Sequence, residues 1–162
     1  NKDIGREISR ASRTHKPLTL LLIEVDDVND LYGHYGERCG QFVIKKVAER
    51  LFSNLRATDI TARLGRSRFA VLLPVSGEMV SLDIAERMRN DIERFIIDDG
   101  RGAVLQVYIS AGLVTWEPGQ FPAVDMQQLA RQMEVVGNKA LDDVMARGGN
   151  CVGQSRLSTM VF

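Results

Sequence analysis

Four carboxylates crowd the end of one apolar run: Glu24, Asp26, Asp27 and Asp30 follow the segment Leu-Thr-Leu-Leu-Leu-Ile at residues 18–23. A central strand that delivers carboxylates at its C-terminal end is a common place for chemistry in folds that mix strands and helices. A second constellation is Arg56 and Asp59, a charged pair three residues apart. A third is the tip Gly65-Arg66-Ser67-Arg68-Phe69, set between apolar segments at residues 60–64 and 69–73. The two histidines, His15 and His34, are isolated and read as surface residues. Cys39 and Cys151 lack metal-ligand spacing and fit a reducing compartment better than a disulfide scaffold.

These residues need elements to place them. Residues 3–13 carry Ile4, Ile8 and Ala11 on one face, which predicts a short amphipathic helix stopped by Pro17. The run at 18–23 has no polar alternation, which predicts a strand buried on both faces. Gly33, Gly36 and Gly40 mark a loop or a broken helix start. Ile44, Val47, Ala48, Leu51 and Leu55 then recur at helical spacing. Residues 60–64 and 69–73 read as a β-hairpin ended by Pro74. Ile84, Met88, Ile92 and Phe95 stripe a second long helix, and residues 104–116 read as an alternating strand. Residues 119–122 read as a loop. Leu129, Met133, Val136, Ala140 and Val144 stripe a third long helix, ended by Gly148-Gly149. The tail, residues 151–162, reads as a final strand or hairpin.

The order is α+β: a central, mostly antiparallel five-stranded sheet flanked by helices, in one domain over residues 1–162. The 162 residues are 44% hydrophobic and 26% charged, with 21 basic and 21 acidic side chains. That balance argues against duplex nucleic acid as partner, since such partners favour a basic domain. No stretch reaches membrane-spanning length. The first residue is not Met, so a piece of a longer chain is expected.

The hairpin carries a resemblance. Arg56-x-x-Asp59, then Ala62-Arg63-Leu64-Gly65-Arg66-Ser67-Arg68-Phe69, then Leu73-Pro74, resembles the GGDEF family of diguanylate cyclases. Leu21-Leu22-Ile23-Glu24-Val25-Asp26 is similar to the family's first strand and its metal-binding Asp. Ser110-Ala111-Gly112 resembles the Ser-Ile-Gly strand, and residues 140–150 the Ala-Leu-Tyr-x-Ala-Lys-x-x-Gly-Arg-Asn ending. The resemblance implies a nucleotide-cyclase or palm-like fold. It also implies a signalling role in which paired subunits condense two GTP into cyclic di-GMP.

Measured against that resemblance, the catalytic positions are degenerate. The signature is Gly-Gly-Asp/Glu-Glu-Phe; its third position binds metal and its fourth supports catalysis. Here they are Ser67 and Arg68. Metal-assisted attack on phosphate needs hard anionic oxygens, and Arg68 adds positive charge instead. Arg66 replaces the second glycine, which would let phosphate approach the backbone. Glu24 replaces the first-strand Asp, and Met145 and Gly149 replace the phosphate-binding Lys and Arg. Asn29-Asp30-Leu31-Tyr32-Gly33-His34 matches the guanine-reading Asn-Asp-x-x-Gly-His only with a deletion and an insertion. A gap-free reading instead places Tyr32 and Gln41 at the two guanine-binding positions, and is preferred because it preserves element lengths.

The product-inhibition site of the family is an Arg-x-x-Asp nine residues before the first signature glycine, joined by an Arg from an Ala-Glu-Arg pattern. Arg56, Asp59 and Arg87 match it. A guanidinium fork can pair with guanine O6 and N7 or clamp phosphate. The resemblance therefore implies a catalytically inactive receptor or regulatory domain that binds cyclic di-GMP through these three residues. It would be cytoplasmic and have no required Mg²⁺, and its partners would be neighbouring domains or a second copy. Two alternatives stay open: a ligand-free interaction or dimerisation module, and a GTP-sensing or weak residual cyclase.

Overall fold

The computed structural model describes residues 6–7, 9–10, 13–119 and 125–157. Its organising element is β1 (Leu18–Val25), buried along its whole length. Alternate residues of a strand point to opposite faces. Leu21, Ile23 and Val25 enter one apolar cluster with Val43, Ile44 and Val47. Leu20 and Leu22 enter another, with Leu129, Met133 and Leu141. Helices cover both faces of the sheet, which is why the run shows no polar alternation.

Helix α1 (Val28–Phe52) follows directly and is broken at Gly36, where φ is 88° and ψ is 169°. That left-handed φ favours glycine. Beyond the break the helix packs so closely that a Cβ on Gly40 would lie 2.7 Å from the Tyr32 ring. The hairpin is β2 (Ile60–Arg63) and β3 (Arg68–Pro74). Helix α2 (Glu78–Glu93) ends just before Phe95, which packs against the core outside the helix. Next come β4 (Ile96–Asp98), β5 (Val104–Gln106), β6 (Ile109–Trp116), α3 (Met126–Ala146) and β7 (Val152–Gln154).

The five-stranded sheet runs β2-β3-β1-β6-β7. Its pairs are antiparallel except β6 with β7, which are parallel, so the sheet is mixed. The tail contributes one three-residue strand, and its residues 158–162 lie outside the described set. Of the predicted N-terminal helix, residues 6–7, 9–10 and 13–14 are helical, while Ile4, Ile8 and Ala11 fall outside the described residues. Gly119 sits in a turn, and residues 120–122 of the predicted loop also fall outside.

One expectation needs correction: residues 104–116 are not a single strand. The chain breaks at Val107 and Tyr108, and β5 pairs with β4 in a separate two-stranded sheet. The cause is local turn chemistry. Asp98 accepts from the Gly100 amide, and Asp99 from the amides of Arg101 and Ala103. Gly100 and Gly102 adopt positive φ, so the segment reverses and draws β5 back onto β4. Among the described residues no helix is long and apolar enough to cross a membrane.

Candidate functional site

The register of the sheet sets Glu24 beside Arg68 on one side and Ser110 on the other. Glu24 is nearly buried, and both of its carboxylate oxygens are used. One accepts from the Ser67 hydroxyl, the other from Arg68 Nε at 2.5 Å. The Arg68 fork continues to helix α3: Nη1 donates to Asn138 at 2.7 Å and Nη2 to Asp142 at 3.3 Å. The Met145 sulfur lies 4.0 Å from Nη2.

Asp26 is held differently. Its Oδ1 accepts from the Ser110 hydroxyl at 2.7 Å, and its Oδ2 from the Asn150 amide at 2.7 Å. Burial pushes its pKa above the usual carboxylate range, against the two hydrogen bonds that lower it. Gly149 has φ of 74°, and a Cβ there would meet the Asp26 carboxylate at 2.7 Å, so conformation and space both favour glycine. Asn150 is gripped in turn by α2: its amide nitrogen donates to Glu93, and its carbonyl accepts from Arg89.

A divalent cation is the group the resemblance implies at this position. The residues present do not fit it. Both Glu24 oxygens already have donors, a guanidinium faces them, and Ser67 is turned inward onto Glu24. Among the described residues no three His, Cys, Asp or Glu side chains converge as a ligand set. Asp27 and Asp30 instead line an open cleft of about 680 Å³ with His34, Tyr35 and Tyr108.

Tyr32 and Gln41, the gap-free guanine positions, line one cavity of about 670 Å³ with Arg66. The Arg66 guanidinium lies 3.5 Å from the Tyr32 ring centre, a cation–π stack in the lining of this cavity. Gln41 donates to Glu37 at 3.0 Å. Arg63 holds the hairpin tip by donating to the carbonyls of Gly65 and Arg66, at 2.8 and 2.7 Å.

The third constellation forms one place. Arg56, Asp59 and Arg87 line a cavity of about 330 Å³. The Arg56 backbone amide donates to Asp59 at 2.8 Å, and its Nη2 reaches the same carboxylate at 2.9 Å. The same nitrogen also donates to the Pro74 carbonyl at 3.0 Å and to the Ser76 hydroxyl at 2.8 Å. The Asp59 side chain is 2% exposed, so it is fixed from below. Arg87 is exposed and pairs loosely with Asp83 at 3.5 Å.

Sequence reasoning missed Arg50 and Asp91, which line this cavity as a two-bond pair at 2.9 and 3.1 Å. It also missed Ser76, Asn138, Asp142 and Asn150. Asn138 and Asp142 left a signal, a helical four-residue spacing that puts both on one face of α3, and Asn150 closes the matched ending at residues 140–150.

The sequence matches the family described as diguanylate cyclase, GGDEF domain, over residues 1–142. It is 31% identical over 107 residues to diguanylate cyclase DosC of Escherichia coli, covering 66% of this chain and 23% of that protein. The chain thus spans about a quarter of that relative's length. The fold is similar to the active GGEEF domain of a diguanylate cyclase from Vibrio cholerae, with TM-score 0.82 and 20% identity, covering 97% of this chain and 94% of that one. It is also similar to the GGDEF domain of DgcB from Caulobacter crescentus, solved with c-di-GMP, with TM-score 0.84 and 19% identity, covering 94% and 84%.

Proposed function

The chain belongs to the GGDEF family of diguanylate cyclase domains, and on that premise we propose that it is a catalytically inactive member that binds cyclic di-GMP at Arg56, Asp59 and Arg87. It then serves as a receptor or regulatory module toward a neighbouring domain or a second copy. One observation carries the reading: Arg87, from a different helix, lines the same cavity as the local pair Arg56 and Asp59, while the acid expected at the metal position already accepts from protein donors.

The chemistry follows from the geometry. The Asp59 side chain is buried and takes Arg56 on both oxygens, leaving its remaining lone pairs as acceptors for a guanine N1 and N2 edge. Arg87 is exposed and swings on a long stem, suited to a phosphate or a guanine O6/N7 edge. Arg56 is the residue that changes state. To meet a ligand it exchanges the Pro74 carbonyl and the Ser76 hydroxyl for ligand acceptors. Binding biases whichever domain arrangement presents this cavity better, by differential affinity.

Calorimetric titration of the domain with cyclic di-GMP tests the proposal. Saturable binding is expected, weakened about 10- to 100-fold in Arg56→Ala through loss of charged hydrogen bonds. No saturable binding to the parent would remove the reading.

The bonds from Arg56 to Asp59, Pro74 and Ser76 support a second reading, in which these residues only brace a ligand-free interaction or dimerisation module. That reading predicts self-association in sedimentation with no heat from the dinucleotide.

A further inference from the structure

We infer that the Arg68 guanidinium stands in for a divalent metal as the countercharge of Glu24, and that it latches the hairpin to α3 through Asn138 and Asp142. The inference stands apart from dinucleotide binding and rests on the donor set around Glu24.

The latch is built from three elements. Antiparallel register brings Arg68 of β3 directly opposite Glu24 of β1. Ser67, itself buried, takes the other Glu24 oxygen, so each carboxylate oxygen already has a protein donor and a guanidinium stands where a cation would approach. From α3, Asn138 donates its own amide to the Glu134 carbonyl at 2.9 Å. That bond orients the Asn138 carbonyl oxygen toward Arg68 Nη1. Asp142, four residues on, receives Nη2.

Three separate guanidinium nitrogens therefore address three partners in a fixed plane. A lysine ammonium on a flexible stem does not reproduce that fork. A metal ion would bring charge to Glu24 only when bound. Arg68 brings it permanently, so the position of the hairpin over α3 is set by the chain itself. Asn138 and Asp142 are positioning residues for Arg68.

Melting curves of the parent, Arg68→Gln, Glu24→Gln and the double variant, each with and without millimolar Mn²⁺, test this. Breaking one side of a largely buried pair strands a charge, so Arg68→Gln is expected to lower Tm by about 5–10 °C. The double variant strands none and is expected to recover at least half of that loss. Mn²⁺ should raise Tm in Arg68→Gln and leave the parent unmoved. Additive losses in the cycle, or the same Mn²⁺ response in parent and variant, would overturn the inference.

Arg68→Lys guards against a variant too unstable to melt cleanly. It keeps the charge but not the fork, so it should lose less Tm than Arg68→Gln and stay unresponsive to Mn²⁺. A clear Mn²⁺ response in the Lys variant counts against the inference too.

Discussion

Asp26 is the residue whose surroundings make the clearest claim about pH. Its ordinary value is 3.8, and burial raises it in the fold. A carboxyl with a raised folded pKa adds stability that is complete below the unfolded pKa and is lost as pH climbs through the folded one. Above that point the buried charge is a standing cost. Asp26→Asn removes the titration, at a fixed penalty for one lost acceptor. The Tm difference between variant and parent should therefore move in favour of the variant as pH rises from about 4 to about 7. Parallel pH curves would contradict the assignment. Residues differ in how far the sequence reveals them. Arg56 and Asp59 lie three apart, so their pairing is local and legible. Arg68 and Asn138 lie on separate elements, and only the register of a folded sheet against a helix joins them. The sequence marks Arg68 only as a positive charge at the hairpin; the Glu24 carboxylate opposite it in the sheet is what it pairs with.

Elements carry the next predictions. Helix α3 meets β6 backbone to backbone at Gly112, where a Cβ would lie 2.3 Å from the Leu141 nitrogen and 2.8 Å from the Gly137 carbonyl. No side-chain rotation relieves a clash with backbone. Gly112→Ala should therefore destabilise by about 3 kcal/mol or more, measured by urea unfolding. Gly33→Ala is the control, because nothing lies within 4 Å of its Cβ and its φ is not positive; a change within about 0.5 kcal/mol is expected there. The long helices and the central strand were legible because periodicity accumulates over many residues. The β4–β5 pair was not. Its strands have three residues each, too few to establish a period, and the turn between them is written in Asp98, Asp99, Gly100 and Gly102 rather than in an apolar pattern. The break in α1 was readable as a cluster of glycines, yet only Gly36 takes the positive φ.

At the scale of the molecule, the positions proposed to be degenerate each meet a neighbour in the fold. Arg66 stacks on Tyr32 beside one cavity, Arg68 pairs with the acid of β1, and Gly149 leaves room for Asp26. Incubation with GTP and Mg²⁺, followed by chromatography, should yield no cyclic di-GMP. Restoring Gly, Asp and Glu at positions 66, 67 and 68 should not rescue it, because Tyr32, Met145 and Gly149 remain. Robust product from the parent would refute the proposed inactivity. The place of β1 has one more consequence, and it concerns synthesis rather than the finished fold. This strand leaves the ribosome before both of its lateral neighbours, which end only at Pro74 and Trp116. A mostly apolar eight-residue segment with both edges open must wait for partners far downstream. During that wait it is a template for pairing with other nascent chains. Soluble yield should therefore depend on the interval between the emergence of β1 and that of β6. Holdase chaperones captured on stalled chains should peak before Trp116 emerges and fall once it has.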